Sequence, residues 1–139
     1  MKHLPLAIGL LTAAACAGHA PVEAATTNLT SVVSVVPVAD HAAATAWYAR
    51  WIGRDADLVP MDGLAEWQLA RGGWLQVALD PDHAGETTVA LTVLDLEAQR
   101  AVFADAAIPL GDVQDYGFVR LVEVSDPDGN TLVFVQETP

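Results

Sequence analysis

Two stretches of the chain carry the same order of hydrophobic and polar positions. In the first, a β-branched run at residues 30–38 predicts a strand, and an alanine-rich segment with an apolar stripe at residues 41–52 predicts a helix. Asp40 and Gly53 flank that helix and suit its two ends as N-cap and C-cap. Three short strands, separated by glycine-containing turns, are predicted next, at residues 57–60, 64–70 and 74–79.

The same order of elements then repeats. A strand is predicted at residues 87–94 and a helix at residues 96–107, with Asp95 as its N-cap. Three further strands are predicted, at residues 112–116, 118–124 and 131–136. The pattern therefore predicts an α+β fold of two βαβββ modules, at residues 29–80 and 87–137, with one helix covering each curved sheet.

The first two dozen residues predict a separate targeting segment. A positively charged start, an apolar run at residues 4–15 and a group of small residues follow one another in the order of an export signal. We predict a signal at residues 1–24 and a single domain at residues 25–139. Residues 13–16 (AAAC) also resemble a bacterial lipobox, in which case Cys16 would carry a lipid anchor. Simple cleavage and lipidation remain alternatives, and both place the domain in the periplasm or on the envelope.

Charge and cysteine content narrow the classes of partner. The chain has 18 acidic and 6 basic residues and a formal net charge of −12. This balance argues against binding to nucleic acid or to an anionic membrane surface. The single cysteine, Cys16, lies in the predicted leader, so the domain has neither a disulfide nor a thiol nucleophile. We expect contact with a membrane only through a lipid on Cys16.

Two groups of motifs carry a resemblance to a known family. Residues 38–40 (VAD), 46–48 (AWY) and 52–53 (IG) match the end of a strand and the helix after it. Residues 125–130 (SDPDGN), followed by LVF, match a last hairpin. At this spacing the chain resembles the vicinal-oxygen-chelate superfamily, which includes glyoxalase I, extradiol dioxygenases and bleomycin-resistance proteins. The resemblance covers nearly the whole predicted domain and implies a cupped mixed sheet with the site inside the cup.

Metal-dependent members of that superfamily hold an ion with four residues on the strands of the cup. By this resemblance, the four metal-ligand positions correspond to Val33, Gln76, Thr88 and Val133 of this chain. Only Gln76 carries a conventional oxygen donor, and the two valines cannot coordinate a metal at all. We therefore expect no metal and no other cofactor in the cup.

Strand alternation predicts which further side chains face the cup. Trp74 would point the same way as Gln76, and Trp67 on the preceding strand would join them. An alternative for both tryptophans is to fill the cup or to form a dimer interface. The predicted ligand-binding residues are Val33, Trp67, Trp74, Gln76, Thr88, Arg120 and Val133.

A basic side chain, Arg120, interrupts an otherwise apolar strand of the second module. It would either clamp a ligand or pair with Glu123 or Asp115 at the surface. The first role would make Arg120 part of the site, whereas the second would place it outside.

These observations favour a binding protein and leave enzymatic activity open. The leading hypothesis is a metal-free domain that holds a small cationic or aromatic molecule in its cup, as the likeness to bleomycin-resistance proteins implies. The first alternative is a divergent glyoxalase-like lyase or dioxygenase, and the second is a non-catalytic interaction protein of the envelope. A homodimer is expected, because many members of the superfamily dimerise.

Overall fold

The first module is a three-stranded sheet with one helix on one of its faces. The computed structural model describes residues 28–139, so the predicted signal and Cys16 lie outside the described residues. The elements are β1 (Val32–Val38), α1 (His41–Ile52), β2 (Leu64–Ala70) and β3 (Gly73–Leu79). The strand order is β1-β3-β2, with β1 parallel and β2 antiparallel to β3.

The second module repeats this order after a short 3-10 turn at Pro81–His83. Its elements are β4 (Thr88–Thr92), α2 (Leu96–Asp105), β5 (Gln114–Asp115), β6 (Val119–Ser125) and β7 (Thr131–Glu137). The strand order is β4-β7-β6-β5, with β4 parallel to β7. The predicted α+β fold with two successive modules is confirmed.

Two of the predicted strands and several predicted element ends differ from the structure. At residues 57–60 the structure has a single bridge between Leu58 and Glu66 instead of a strand. The next backbone pair in that ladder would need an N–H at Pro60, which proline lacks. The strand predicted at residues 112–116 is reduced to the two residues of β5. Helix α2 ends at Asp105, two residues early, and Ala107 adopts a left-handed φ of 55°.

The predicted ends of the helices are otherwise confirmed. The Asp40 carboxylate accepts a hydrogen bond from the Ala43 N–H at 3.0 Å, and Gly53 ends α1 with a left-handed φ of 84°. At α2 the Asp95 carboxylate accepts hydrogen bonds from the N–H groups of Glu97 and Ala98. These caps satisfy backbone donors that have no partner within the helix. Within residues 28–139, no helix is long and apolar enough to cross a membrane.

The two helices bury their apolar faces in one core that both modules share. Trp51 of α1 stacks on Phe103 of α2, with ring centroids 5.3 Å apart. Both rings contact Phe134 of β7, at 5.5 and 5.2 Å. Aromatic rings of this size supply much of the apolar area that a small domain can bury. The two modules therefore pack as one unit on their helix sides.

A buried carboxylate in the last hairpin joins the two modules. Asp126, only 5% exposed, accepts a hydrogen bond from the Tyr48 hydroxyl of α1 at 2.9 Å. The same carboxylate accepts the backbone N–H groups of Asp128 and Asn130, which fix the turn between β6 and β7. Burial and the adjacent Asp126 charge raise the pKa of the Tyr48 hydroxyl well above its usual range. Tyr48 therefore stays protonated and acts as a permanent donor.

The amide of Asn130 extends this junction to the ends of two strands. Asn130 is fully buried, and its Nδ2 donates to the Pro37 carbonyl of β1 at 2.8 Å. Its Oδ1 accepts the Thr87 N–H just before β4, at 3.1 Å. The Asp128 carboxylate accepts the Ala39 N–H at 3.1 Å. The hairpin turn at residues 126–130 thus positions the first strand of each module.

Replacing Tyr48 by Phe tests this junction. Removing the hydroxyl takes one donor from a buried carboxylate, and we expect a loss of about 2 kcal/mol in the free energy of unfolding. Urea denaturation of the full chain measures the change. The matched control is Tyr116→Phe, because the exposed Tyr116 hydroxyl contacts only the Gln114 side chain. Equal losses in the two variants would contradict the proposed role of the Tyr48–Asp126 bond.

Candidate ligand-binding site

The sheet of the first module has one face packed against the helices and one face turned away from them. Side chains of the packed face, such as Val36, Leu75 and Val77, are almost completely buried. The opposite face, here called the open face, carries three rows of side chains set by the strand pairing. Its members are Val33, Trp74 and Gln68 in the first row, Val35, Gln76 and Glu66 in the second, and Pro37, Ala78 and Leu64 in the third.

Three of the predicted site residues come together on the open face. Val33 lies directly beside Trp74 across β1 and β3, and Gln76 lies two residues further along β3. Val33 is 45% exposed, and Trp74 and Gln76 are half-buried. Trp74 and Gln76 thus share the orientation that strand alternation predicts, and Val33, assigned by the resemblance, lies on the same face. The face combines apolar surface, an indole ring and an amide.

A carboxylate that sequence reasoning did not include in the site completes this group. Glu66 of β2 lies directly across from Gln76, and the Gln76 Nε2 donates a hydrogen bond to the Glu66 Oε1. This bond gives the half-buried Gln76 amide the partner that it needs. The signal was present in the sequence, because Glu66 alternates with Trp67 and so must lie on the face opposite that ring.

Trp67 is placed differently from its prediction. It is completely buried in the helix-side core, where its ring lies 6.3 Å from that of Tyr48. Its Nε1 donates to the Arg54 carbonyl at 3.1 Å. Trp67 pairs with Leu75 across the β2–β3 hairpin, and the two therefore share the packed face. Trp67 supports the sheet from behind and does not line the open face.

A charged pair fixes the strand that carries Glu66. The Arg54 guanidinium donates two hydrogen bonds to the Asp57 carboxylate, at 2.9 and 2.8 Å, and a third to the Gln68 carbonyl. Asp57 in turn accepts the Gln68 N–H at 2.7 Å. The Arg54 hydrogen bonds and then that N–H lower the pKa of Asp57 to about 2. Both backbone groups of Gln68 are thereby held at the outer edge of β2.

Two predicted residues lie on the second sheet instead. Thr88 on β4 is exposed. Val133 is fully buried beside Val119, Leu121 and Val135 on the face turned away from α2. Strand pairing places the Thr88 and Val133 positions on the same side of that sheet. The structure therefore divides the predicted set between two sheets and joins only the first-module residues to one another.

Arg120 lies on the helix side of its sheet. Its Nη2 donates to the Glu97 carboxylate of α2 at 3.1 Å, and its Nε lies 4.0 Å from the Asp115 carboxylate. The predicted surface pairing with Asp115 is present, with Glu97 as the nearer partner and Glu123 not involved. Arg120 thus links α2 to β6 through its ion pair with Glu97. This orientation does not fit the alternative role, in which Arg120 would bind a ligand.

The side chains at the four transferred positions do not fit a divalent metal. Val33 and Val133 have no donor atom, the neutral Thr88 hydroxyl is a poor ligand, and Gln76 offers a single amide oxygen. In the part of the chain that the structure describes, no three His, Cys, Asp or Glu side chains are grouped as metal ligands would be. Glu66 and Gln76 by themselves are fewer donors than protein metal sites use.

Two cavities lie where the modules meet. One, of about 170 Å³, borders Trp74 and is shared by Val32 and Leu75 of the first module and Val89 and Leu91 of the second. The other is a groove of about 560 Å³ between the end of α1 and β4, with Trp51, Leu91 and Phe134 among its walls. Most first-module residues around the smaller cavity, such as Ser34 and Leu75, belong to the packed face, and Trp74 is its one open-face residue.

The comparison with known structures agrees with this fold. The chain has 32% identity and a TM-score of 0.73 to the glyoxalase/bleomycin resistance protein from Catenulispora acidiphila DSM 44928, over 78% of this chain and 98% of that one. No family model and no curated protein matches the sequence. The paired βαβββ architecture defines a vicinal-oxygen-chelate protein. Within that superfamily, the chain belongs to the glyoxalase/bleomycin resistance family.

More distant structures share the fold alone. TnmS3, an antibiotic binding protein from Streptomyces sp. CB03234, is 20% identical with a TM-score of 0.67, over 86% of this chain and all of that one. A lactoylglutathione lyase from Agrobacterium tumefaciens is 18% identical with a TM-score of 0.63, over 76% of this chain and 91% of that one. Proteins of this fold thus include both a binding protein and an enzyme.

A pair of tryptophan variants tests the placement of Trp67. Trp67→Phe leaves the Arg54 carbonyl without its donor, whereas the buried Trp51 Nε1 has no partner among the described residues. We expect Trp67→Phe to lower the free energy of unfolding by about 1–2 kcal/mol more than Trp51→Phe does. Urea denaturation of both variants measures the difference. A larger loss in Trp51→Phe would contradict the assignment of Trp67 to a hydrogen-bonded core position.

Proposed function

We propose that this chain is an exported binding protein that holds a small organic molecule on the open face without a metal ion. The observation that carries the proposal is the group of Trp74, Gln76 and Glu66 beside Val33 and Val35. An aromatic ring and apolar side chains with a few polar atoms between them are typical of small-molecule sites.

The exposure of the face supports a binding role. Val33 and Val35 are 45% and 46% exposed, although their neighbours on β1, Val36 and Val38, are completely buried. Apolar surface of this kind commonly marks a place where a ligand or a partner chain binds. The expected homodimer stays a prediction.

The relatives support the class of ligand. The Catenulispora protein, which is the more similar one, is described as a glyoxalase/bleomycin resistance protein, and TnmS3 is described as an antibiotic binding protein. By this analogy we propose that the ligand is antibiotic-like in size and aromatic character. The lack of donors at Val33 and Val133 favours binding over the metal-dependent chemistry of other members.

Export is proposed on the sequence of the leader. The signal at residues 1–24, with or without a lipid on Cys16, would bring the domain to the envelope, where it could capture a molecule before entry into the cell.

A metal titration and a compound screen, both on the full chain, test the proposal. Calorimetry with Ni²⁺, Zn²⁺ and Fe²⁺ is expected to show no tight one-to-one site. A thermal-shift screen of cationic antibiotics and aromatic metabolites is expected to identify stabilising compounds. Trp74→Leu should weaken the binding of such compounds about tenfold, because a buried aromatic contact is lost. Trp47→Leu is the matched control, since Trp47 lies on α1.

Either experiment can contradict the proposal. A tight one-to-one metal site would favour the lyase or dioxygenase alternative. If no compound stabilises a correctly folded chain, or if Trp74→Leu binds as well as the wild type, the open face is not the ligand site.

A further inference from the structure

We infer that the open face selects a planar organic cation, with Glu66 as the residue that recognises its charge and Trp74 as the surface on which it stacks. The inference rests on the proposed function and names the class of molecule bound at that site. It is supported by the position of Glu66, the neutral residues around it, its distance from Trp74 and its hydrogen bond with Gln76.

Glu66 is the charged residue among the nine members of the open face. Its neighbours across the sheet, Gln76 and Val35, are neutral, as are all residues of the two flanking rows. A half-buried carboxylate among neutral side chains is screened by water less than one at the open surface. A ligand that covers the face would therefore interact strongly with this charge.

No basic side chain of the described part of the chain neutralises Glu66. The ion pairs formed by residues 28–139 use Asp57, Asp80, Glu97 and Asp115 as the acidic partners, and Glu66 is not among them. The domain also lacks lysine, because the chain's only lysine is in the predicted signal. The negative charge of Glu66 is thus available to a ligand and would repel an anionic one.

The distance between Glu66 and Trp74 suits a flat cation. Glu66 lies across from Gln76, two residues along β3 from Trp74, which makes Glu66 and Trp74 diagonal neighbours on one face. Diagonal positions of an antiparallel pair are roughly 7 Å apart. A cation interacts with an indole ring when it lies within about 6 Å of the ring centroid. One flat ligand can therefore stack on Trp74 and contact the Glu66 carboxylate at the same time. An aromatic amidinium or guanidinium has the required shape, and one of its N–H groups can donate a charge-assisted hydrogen bond to the Glu66 carboxylate.

Gln76 is a positioning residue in this arrangement. Its Nε2 donates to the Glu66 Oε1, which holds the carboxylate against the sheet and leaves the other oxygen, Oε2, without a partner among the described residues. An anchored carboxylate loses less side-chain entropy when a ligand binds than a free one would. The hydrogen bond therefore favours a fixed direction of approach for the cation.

A matched pair of probes tests the inference on the full chain. Benzamidine is a planar cation at neutral pH, and benzamide is its neutral counterpart of nearly the same shape. We expect benzamidine to bind about tenfold more tightly, as measured by NMR titration, because it gains a charge-assisted hydrogen bond. In Glu66→Gln this advantage should disappear, while Trp74→Leu should weaken both probes by similar factors.

The control for general electrostatics is Glu86→Gln, which removes the same charge at an exposed position off the open face. This variant should keep the tenfold preference, whereas attraction by the overall charge of −12 would respond equally to both changes. Equal binding of the two probes, or an unchanged preference in Glu66→Gln, overturns the inference and leaves the proposed binding function intact. If neither probe binds to the wild-type chain, the inference is overturned, and the thermal-shift screen decides the proposed binding function independently.

Discussion

The buried carboxylate of Asp126 connects the two modules through its hydrogen bonds. A charged group in this position must be compensated, and it receives hydrogen bonds from the Tyr48 hydroxyl, from Asn130 and from the backbone of its own turn. Those donors come from both modules. The Tyr48 hydrogen bond to Asp126 can form only when α1 of the first module lies against β6 and β7 of the second.

This requirement determines where the open face can form. With α1 and α2 packed together through Trp51, Phe103 and Phe134, the helix-side core takes the larger share of the apolar residues. Trp74, Gln76 and Glu66 are not part of the helix-side core and lie on the opposite face of the first sheet. The site we propose is thus a consequence of how the modules are joined, and the Glu66–Gln76 hydrogen bond links two of its polar side chains.

The sequence predicts the fold well where the signal is local. Helix α1, its caps at Asp40 and Gly53, and the hairpin turn at residues 126–130 follow from residue types at fixed positions. The site is harder to predict, because the face of a strand depends on pairing with its neighbour. β2 contains a register shift between Gln68 and Ala70, and the pairing of Trp67 with Leu75 turns that ring into the core. For Arg120, the deciding contact is Glu97, 23 residues away in the chain, which no local pattern reveals.

The indole N–H signals of Trp47, Trp51, Trp67 and Trp74 provide the most direct test of the central claim, that the open face of the first module is the binding surface. Each signal reports from a different part of the fold, and single Trp→Phe variants assign them. When benzamidine is added to the labelled chain, we expect the Trp74 signal to shift while the signals of Trp67 and Trp47 stay in place. A shift of the Trp51 signal with Trp74 unchanged would instead place the ligand in the groove beside α1.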